Sequence, residues 1–377
     1  MTLSKNIQPD KRMKSIDIVR GIAVVQMIFW QMFDFFSKID IYRDFPHVVK
    51  TINTPPHFSV LVLFLSMSGA SLFISVSKKL TKGMKKSEIL KYITKRYGSF
   101  VIISLFFTTL VFDFCTFFRW EEAIQGIGLT ATFASMIILA IYDEKSVKSK
   151  FLNRATLIII FLTTILVILQ PIVARNVWGV TKEYMFCNTN MDTGQFLQSL
   201  LINSSLRGFF SIRGLLPMVF IGVLLGQMAV SDNLKKSNFP IFLIGITLVL
   251  SSALSHFYSH SNESLKGFAI DFYARSYPSL MLEIGILFIL FSSVEFILNR
   301  ENWDLAKTTL NFFVPFGMFT LVSYLGHFLL VYKPLQLISV YTNFNLLNKF
   351  GVVESAVLSL ALTIVFYQVT LRWAKMR

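Results

Sequence analysis

Apolar runs of about 20 residues, separated by shorter polar stretches, follow one another along the whole chain. A helix needs about 20 mostly apolar residues to cross the hydrocarbon core of a bilayer. Cutting the sequence at its polar breaks gives about ten such runs, near 16–36, 58–77, 98–117, 121–142, 155–173, 213–230, 238–257, 276–298, 310–332 and 352–371. The pattern predicts an all-α, polytopic membrane helix bundle of about ten transmembrane helices, forming a single domain over residues 1–377.

The first run, KSIDIVRGIAVVQMIFWQMFDFF, is interrupted by Asp17, Arg20 and Gln31. An ionisable group near the centre of a span costs roughly 2.5–3.5 kcal/mol on insertion scales, so such groups have a partner or a function. Arg20 lies about a turn from the basic end and can snorkel toward it, and Asp17, three residues earlier, is a ready partner. Ser15 is placed to cap this helix, with Asp17 in the first turn where the dipole favours an anion. The polar stretch 37–57, SKIDIYRDFPHVVKTINTPPH, carries His47 and His57 and ends in a proline pair that stops any helix before the second run. That second run contains SMSGAS, small residues of the kind that let neighbouring backbones approach.

Residues 78–97, KKLTKGMKKSEILKYITKRY, set Ile89, Leu90, Ile93 and Tyr97 on one helical face and read as an interfacial amphipathic helix in a basic loop. Its lysines and Arg96 suit either anionic lipid head groups or the phosphates of a soluble cofactor. The short turn FFRWEEA makes the third and fourth runs an antiparallel hairpin, and the fourth opens AIQGIGL, with Gln125. In the long hydrophilic stretch 174–212, Asp192 and Gln195 resemble a capping box ahead of an apolar periodic run, which predicts a short helix lying on the membrane. Later runs carry Glu283 and the segment SYLGHFLLVYK, with Tyr324 and His327.

Composition agrees with the pattern: 54% of residues are hydrophobic, including 39 Phe, and these place the chain in the membrane class. The N-terminus has no apolar core or small-residue cleavage site ahead of the first run, so the first helix is expected to serve as an uncleaved signal anchor. The formal charge of +15 invites a nucleic-acid reading, but the placement of the charge argues against one. With the N-terminus inside, the cytoplasmic segments hold 23 Lys and Arg and the external segments 12. That is the positive-inside pattern, with both termini in the cytoplasm. Cys115 and Cys187 both fall on the oxidising side, where a disulfide is permitted; they have no metal-ligand spacing, so no metal is expected. No phosphate-binding glycine loop, HExxH or GxSxG motif is present.

Five histidines remain as candidate acid–base groups: His47, His57, His256, His260 and His327. His256 and His260 belong to a Ser/His-rich external hinge, and His327 sits in an otherwise apolar helix. Two function classes fit, an enzyme acting across the bilayer and a carrier. Carriers often show inverted repeats, and no internal duplication is evident.

The blocks SIDIVRGIAVVQMIF, FLSMSGASLFIS, AIQGIGLTATF, RGLLPMVFIGVLLGQ and PFGMFTLVSYLGHFLL resemble, in the same order, those of the heparan-α-glucosaminide N-acetyltransferase family of transmembrane acyltransferases. The resemblance implies acetyl-CoA or another acyl-CoA as donor, taken from the cytoplasm. It also implies an amine or hydroxyl of an extracytoplasmic glycan or lipid-linked sugar as acceptor. Lipid is then the surrounding partner, a homodimer is left open, and the cell membrane is the expected location. In the family a histidine of the first external loop serves the transfer, with an Asn on the preceding helix and an Asp ten residues after the histidine. Here Gln31 stands at the Asn position, His47 at the histidine, and His57 where the family has its Asp; Asp34, Asp40 or Asp44 would have to replace that carboxylate. The resemblance gives His47 the proton transfer or a brief hold on the acyl group, and Gln31 a hydrogen bond to the thioester carbonyl. Gln125 and His327 would line the pocket, while Arg20 and the inner basic loop, with Arg96, would hold the phosphates. The alternative reading is a secondary transporter, or an inactive relative that binds a small anionic ligand.

Overall fold

A computed structural model describes residues 13–38, 58–111, 123–148, 153–180, 193–202, 212–231, 234–261, 277–342 and 349–375. His47, His57, Cys115, Cys187 and Asp192 lie outside the described residues. Among the described residues every regular element is helical, apart from one isolated bridge between Ser37 and Phe350. The first half contains α1 (Lys14–Phe36), α2 (Phe58–Thr81), α3 (Lys86–Val111), α4 (Ala123–Ile141), α5 (Glu144–Lys148), α6 (Arg154–Val180) and α7 (Thr193–Ile202). The second contains α8 (Ile212–Val230), α9 (Leu234–Ser261), α10 (Tyr277–Leu298), α11 (Asp304–Asn311), α12 (Val314–Met318), α13 (Thr320–His327), α14 (Lys333–Thr342) and α15 (Val352–Lys375). A π-helical turn, Phe328–Tyr332, joins α13 to α14.

Seven helices are long and apolar enough to span a membrane, and two shorter apolar helices, Arg154–Leu169 and Leu215–Val230, accompany them among the described residues. Side-chain burial supports that reading. On α15, Ser355, Ser359, Thr363 and Thr370 face inward while Val353, Val357, Leu360, Ile364 and Val365 face out. The hydroxyls of Ser359, Thr363 and Thr370 each donate to the carbonyl four residues earlier, so their polarity is satisfied inside the helix. Polar groups turned in and aliphatic ones turned out suit a helix solvated by lipid rather than water.

Close backbone contact sets the centre of the bundle. In the SMSGAS patch of α2, a Cβ added at Gly69 would strike the Val219 carbonyl, and one added at Gly222 of α8 would strike the Ser66 carbonyl. Ser66 also donates to the Met218 carbonyl at 3.0 Å. The helices therefore meet backbone to backbone, as the small residues predict.

Three local expectations differ from the structure. Ser15 is not the N-cap of α1; Met13 is, with no side-chain cap, and Ser15 is buried within the first turn. The basic stretch 78–97 is not a separate interfacial helix. Only residues 82–85 break the helix, at a turn whose Gly83 has φ 76°, and α3 then runs on as one rod. The reason lies in its apolar face: Ile89, Ile93 and Tyr97 are buried against the bundle core rather than laid on lipid. The run at 310–332 is likewise not one helix but the succession α12, α13 and π turn, interrupted at Phe319 (φ −115°, ψ 37°).

One local expectation is met in part, since the Asp192 of the expected capping box and residues 117–122 of the turn FFRWEEA fall outside the described residues. A short helix, α7, lies within 174–212. Beyond the end of α4, Asp143 and Ser146 bond each other reciprocally, the Asp143 amide to the Ser146 hydroxyl and the Ser146 amide to the Asp143 carboxylate. The Ser146 hydroxyl and amide hold the Asp143 carboxyl below its ordinary value.

Candidate functional site

The site is built between α1 and the interrupted segment α12–α13. Arg20 and Gln31 are eleven residues apart on α1. At 3.6 residues per turn they share one face, about 16 Å apart along the axis. The segment beside that face meets α1 twice. At the first meeting a Cβ on Gly21 would overlap the Phe313 carbonyl, and one on Gly317 would overlap the Asp17 carbonyl. At the second, His327 Nε2 lies 2.5 Å from Gln31 Oε1. Along α1 the meetings run Asp17–Gly317, Gly21–Phe313 and Gln31–His327, so α12 passes α1 in the opposite chain direction and the chain turns back between Gly317 and His327.

The first meeting is charged. Arg20 Nη1 lies 3.8 Å from Asp17 Oδ1 and donates to the Gly317 carbonyl at 3.3 Å. Its Nη2 donates to the Met67 carbonyl at 3.0 Å and to the Ser71 hydroxyl. The break at Phe319 explains why a carbonyl is on offer here, because the last carbonyls of a helix have no partner within it. The Thr320 hydroxyl takes the same Gly317 carbonyl at 3.0 Å. Arg20 thus ties together α1, α2 and α12. Its charge also acts on the Tyr97 hydroxyl of α3, as does that of Arg96, whose guanidinium lies 5.6 Å from the Tyr97 ring centre. Arg96 itself is exposed.

The second meeting is uncharged and enclosed by rings. His327 is fully buried, while Gln31 is only partly so. His327 Nδ1 lies 3.2 Å from the Ser323 carbonyl one turn back. Phe328 packs on the imidazole at 4.1 Å between centroids, and Tyr324 meets it edge-on at 5.6 Å. Phe107 of α3 closes the group against Tyr324 and Phe328. Ser323 also pairs with Thr370 of α15 at 3.4 Å. One turn before Phe107, Ser104 donates to Gln125 Oε1 at 3.4 Å, and both residues are buried.

The structure therefore brings Gln31 and His327 into contact, places Arg20 on the same face of α1, and joins Gln125 to the group through α3. Arg96 stands near the Arg20 end. Ser71, Ser323 and Gly317 were not singled out by the sequence reading. Ser71 belongs to the small-residue patch, which signalled packing rather than hydrogen bonding, and Ser323 had only its spacing of four before His327 as a signal. Among the described residues no cluster of His, Cys, Asp or Glu has the arrangement of a metal site.

A search of curated proteins returned no match. Residues 12–262 match the family model described as heparan-alpha-glucosaminide N-acetyltransferase, catalytic. The match includes Arg20, Gln31, His47, His57, Arg96 and Gln125 and ends before His327, so the buried pair joins a residue inside the matched region to one beyond it. With most of the chain covered, and with helices apolar enough to span a membrane, this integral membrane protein belongs to the heparan-alpha-glucosaminide N-acetyltransferase family of membrane acetyltransferases.

Proposed function

We propose that the protein transfers an acetyl or other short acyl group from cytoplasmic acyl-CoA to an amine or hydroxyl of an extracytoplasmic glycan or glycolipid, from a position in the cell membrane. The reading carries with it ten spans and both termini in the cytoplasm, as the positive-inside pattern argues. The observation that supports it best is the Gln31–His327 pair. It is a polar site enclosed by aromatic rings on the same face of α1 as Arg20, in a chain whose family is one of acetyltransferases.

The division of labour follows the two ends of that face. Arg20 and Arg96 supply positive charge at the basic end, where the donor's phosphates would sit. Arg20 does so from a fixed position, because Asp17, Ser71 and two carbonyls already orient its guanidinium. The roughly 16 Å between Arg20 and Gln31 suits an extended pantetheine arm lying along α1. Gln31 then donates a hydrogen bond to the thioester carbonyl as negative charge grows on its oxygen, while Gln125 and His327 line the wall. His47 takes the proton of the attacking amine or hydroxyl, with His57, ten residues further on, as the second candidate.

A carrier is the second reading, favoured by the helix interruption at Phe319, since transporters place substrate at broken helices. One experiment separates the two. Purified protein incubated with acetyl-CoA and an α-glucosaminide should release free CoA thiol in step with acetylated sugar, and His47→Ala should lower that rate by about 10²-fold or more. Label transport into proteoliposomes without any covalent product would support the carrier instead.

A further inference from the structure

We propose that His327 is a positioning residue for Gln31: its Nε2–H holds the carboxamide oxygen and so turns the carboxamide NH₂ toward the reacting carbonyl. The inference rests on the acyltransferase reading and adds a role for a residue beyond the family-matched region.

The argument is one of donors and acceptors. The Gln31 oxygen lies 2.5 Å from Nε2, and an oxygen of that kind only accepts, so the contact is a hydrogen bond only when Nε2 carries a proton. A carboxamide has two unlike ends. Once its oxygen is held by the ring, its NH₂ faces the opposite way, and that end has no hydrogen-bond partner among the described residues. It is therefore the end left for substrate. If the ring carried its proton on Nδ1 alone, the carboxamide would have to turn over, placing its NH₂ against Nε2 and its oxygen toward substrate. An oxygen there would repel the developing oxyanion instead of stabilising it.

The ring is held in place for this task. Phe328 and Tyr324 pack on the imidazole and complete burial denies it any competing bond to water, while the Ser323 carbonyl, 3.2 Å from Nδ1, competes with Gln31 for the ring's proton. A neutral imidazole carries one N–H, so with its proton on Nε2 the ring bonds the Gln31 oxygen and its contact with the Ser323 carbonyl is not a hydrogen bond.

Two substitutions of His327 separate its two contacts. In His327→Gln the terminal amide nitrogen reaches the place of Nε2 and can still donate to the Gln31 oxygen. In His327→Asn the shorter amide reaches only the place of Nδ1 and the Ser323 carbonyl. We expect His327→Gln to cost less than about tenfold in kcat, and His327→Asn to cost about 10²-fold or more, the loss seen when an oxyanion donor is misplaced. KM for acetyl-CoA should move little in either. On a Gln31→Leu background His327→Asn should add nothing further, because the ring acts through Gln31. Equal losses in the two variants, or additive losses on that background, would overturn the proposal. A readout independent of turnover is the ¹⁵N spectrum of histidine-labelled protein in detergent. A protonated His327 Nε2 is expected, and a bare Nε2 beside a protonated Nδ1 would overturn the assignment even if the protein is an active acetyltransferase. An inactive wild type would count against the acyltransferase reading and leave the spectrum to decide the ring's proton.

Discussion

A single guanidinium joins three elements of this bundle. Arg20 meets a carboxylate on its own helix, a carbonyl and a hydroxyl on α2, and a carbonyl at the end of α12. Removing one member of a buried charge pair leaves the other uncompensated, at a cost of about 3–5 kcal/mol. Arg20→Ala should therefore lower the melting temperature of the detergent-solubilised protein in the absence of any ligand. Arg20→Lys should recover only part of the loss, because an ammonium cannot reproduce the planar fork that serves several acceptors. If acetyl-CoA protects the wild type against thermal unfolding but no longer protects Arg20→Lys, the charge also serves the donor. Full thermal stability in Arg20→Ala would remove it from the joint described above. At this scale the sequence was partly legible. Asp17 as a partner for Arg20 followed from a spacing of three, and Gln31 stood out as a carboxamide in an apolar run. The bond between Gln31 and His327 spans 296 positions, and no local pattern encodes a contact at that separation.

At the scale of elements, the interrupted helix carries the geometry of the site. Pro315 and Gly317 both read as helix breakers, yet their structural duties differ. Pro315 occupies the first turn of α12, where a missing amide hydrogen costs nothing within the helix. Gly317 sits where any side chain would overlap the Asp17 carbonyl. Pro315→Ala should change stability by less than about 1 kcal/mol. Gly317→Ala should cost about 1–3 kcal/mol by overpacking and push α12 off α1. Thermal unfolding of the two variants is the check, and equal effects would show that the close approach does not hold the segment. Gly222→Ala, at the α2–α8 crossing, should behave like Gly317→Ala for the same reason. The sequence announced the α2–α8 crossing through SMSGAS, because small residues in a span mean close backbones. It hid the break at 319, because apolar periodicity continues through Phe319 and hydropathy does not register a change of backbone angle. The continuous α3 was missed for a related reason: a basic helix with one apolar face looks alike whether that face meets lipid or the bundle.

For the whole molecule, orientation decides whether the donor and acceptor ends of the site lie on opposite sides of the bilayer. The end of the bundle that carries Lys78, Lys79, Lys82 and Arg96 is proposed to face the cytoplasm, and the Ser37–Phe350 end to face outside. Cysteines introduced one at a time at the exposed positions Lys82 and Lys349, with Cys115 and Cys187 replaced, would test this. Lys349→Cys should react with an impermeant maleimide in intact cells, and Lys82→Cys only after permeabilisation. The reverse pattern would invert the topology and with it the direction of transfer. Composition and the spacing of apolar runs made the membrane class and the helical fold plain from sequence, since bilayer thickness sets the length of each run.

The most direct test is made with sealed proteoliposomes of known orientation, radiolabelled acetyl-CoA on the side of Lys82 and an α-glucosaminide on the side of Lys349. The account predicts label in the sugar on the far side and an equal amount of free CoA thiol on the near side, both lost in Gln31→Leu. Label that stays on acetyl-CoA, or that crosses the bilayer without joining the sugar, would contradict it.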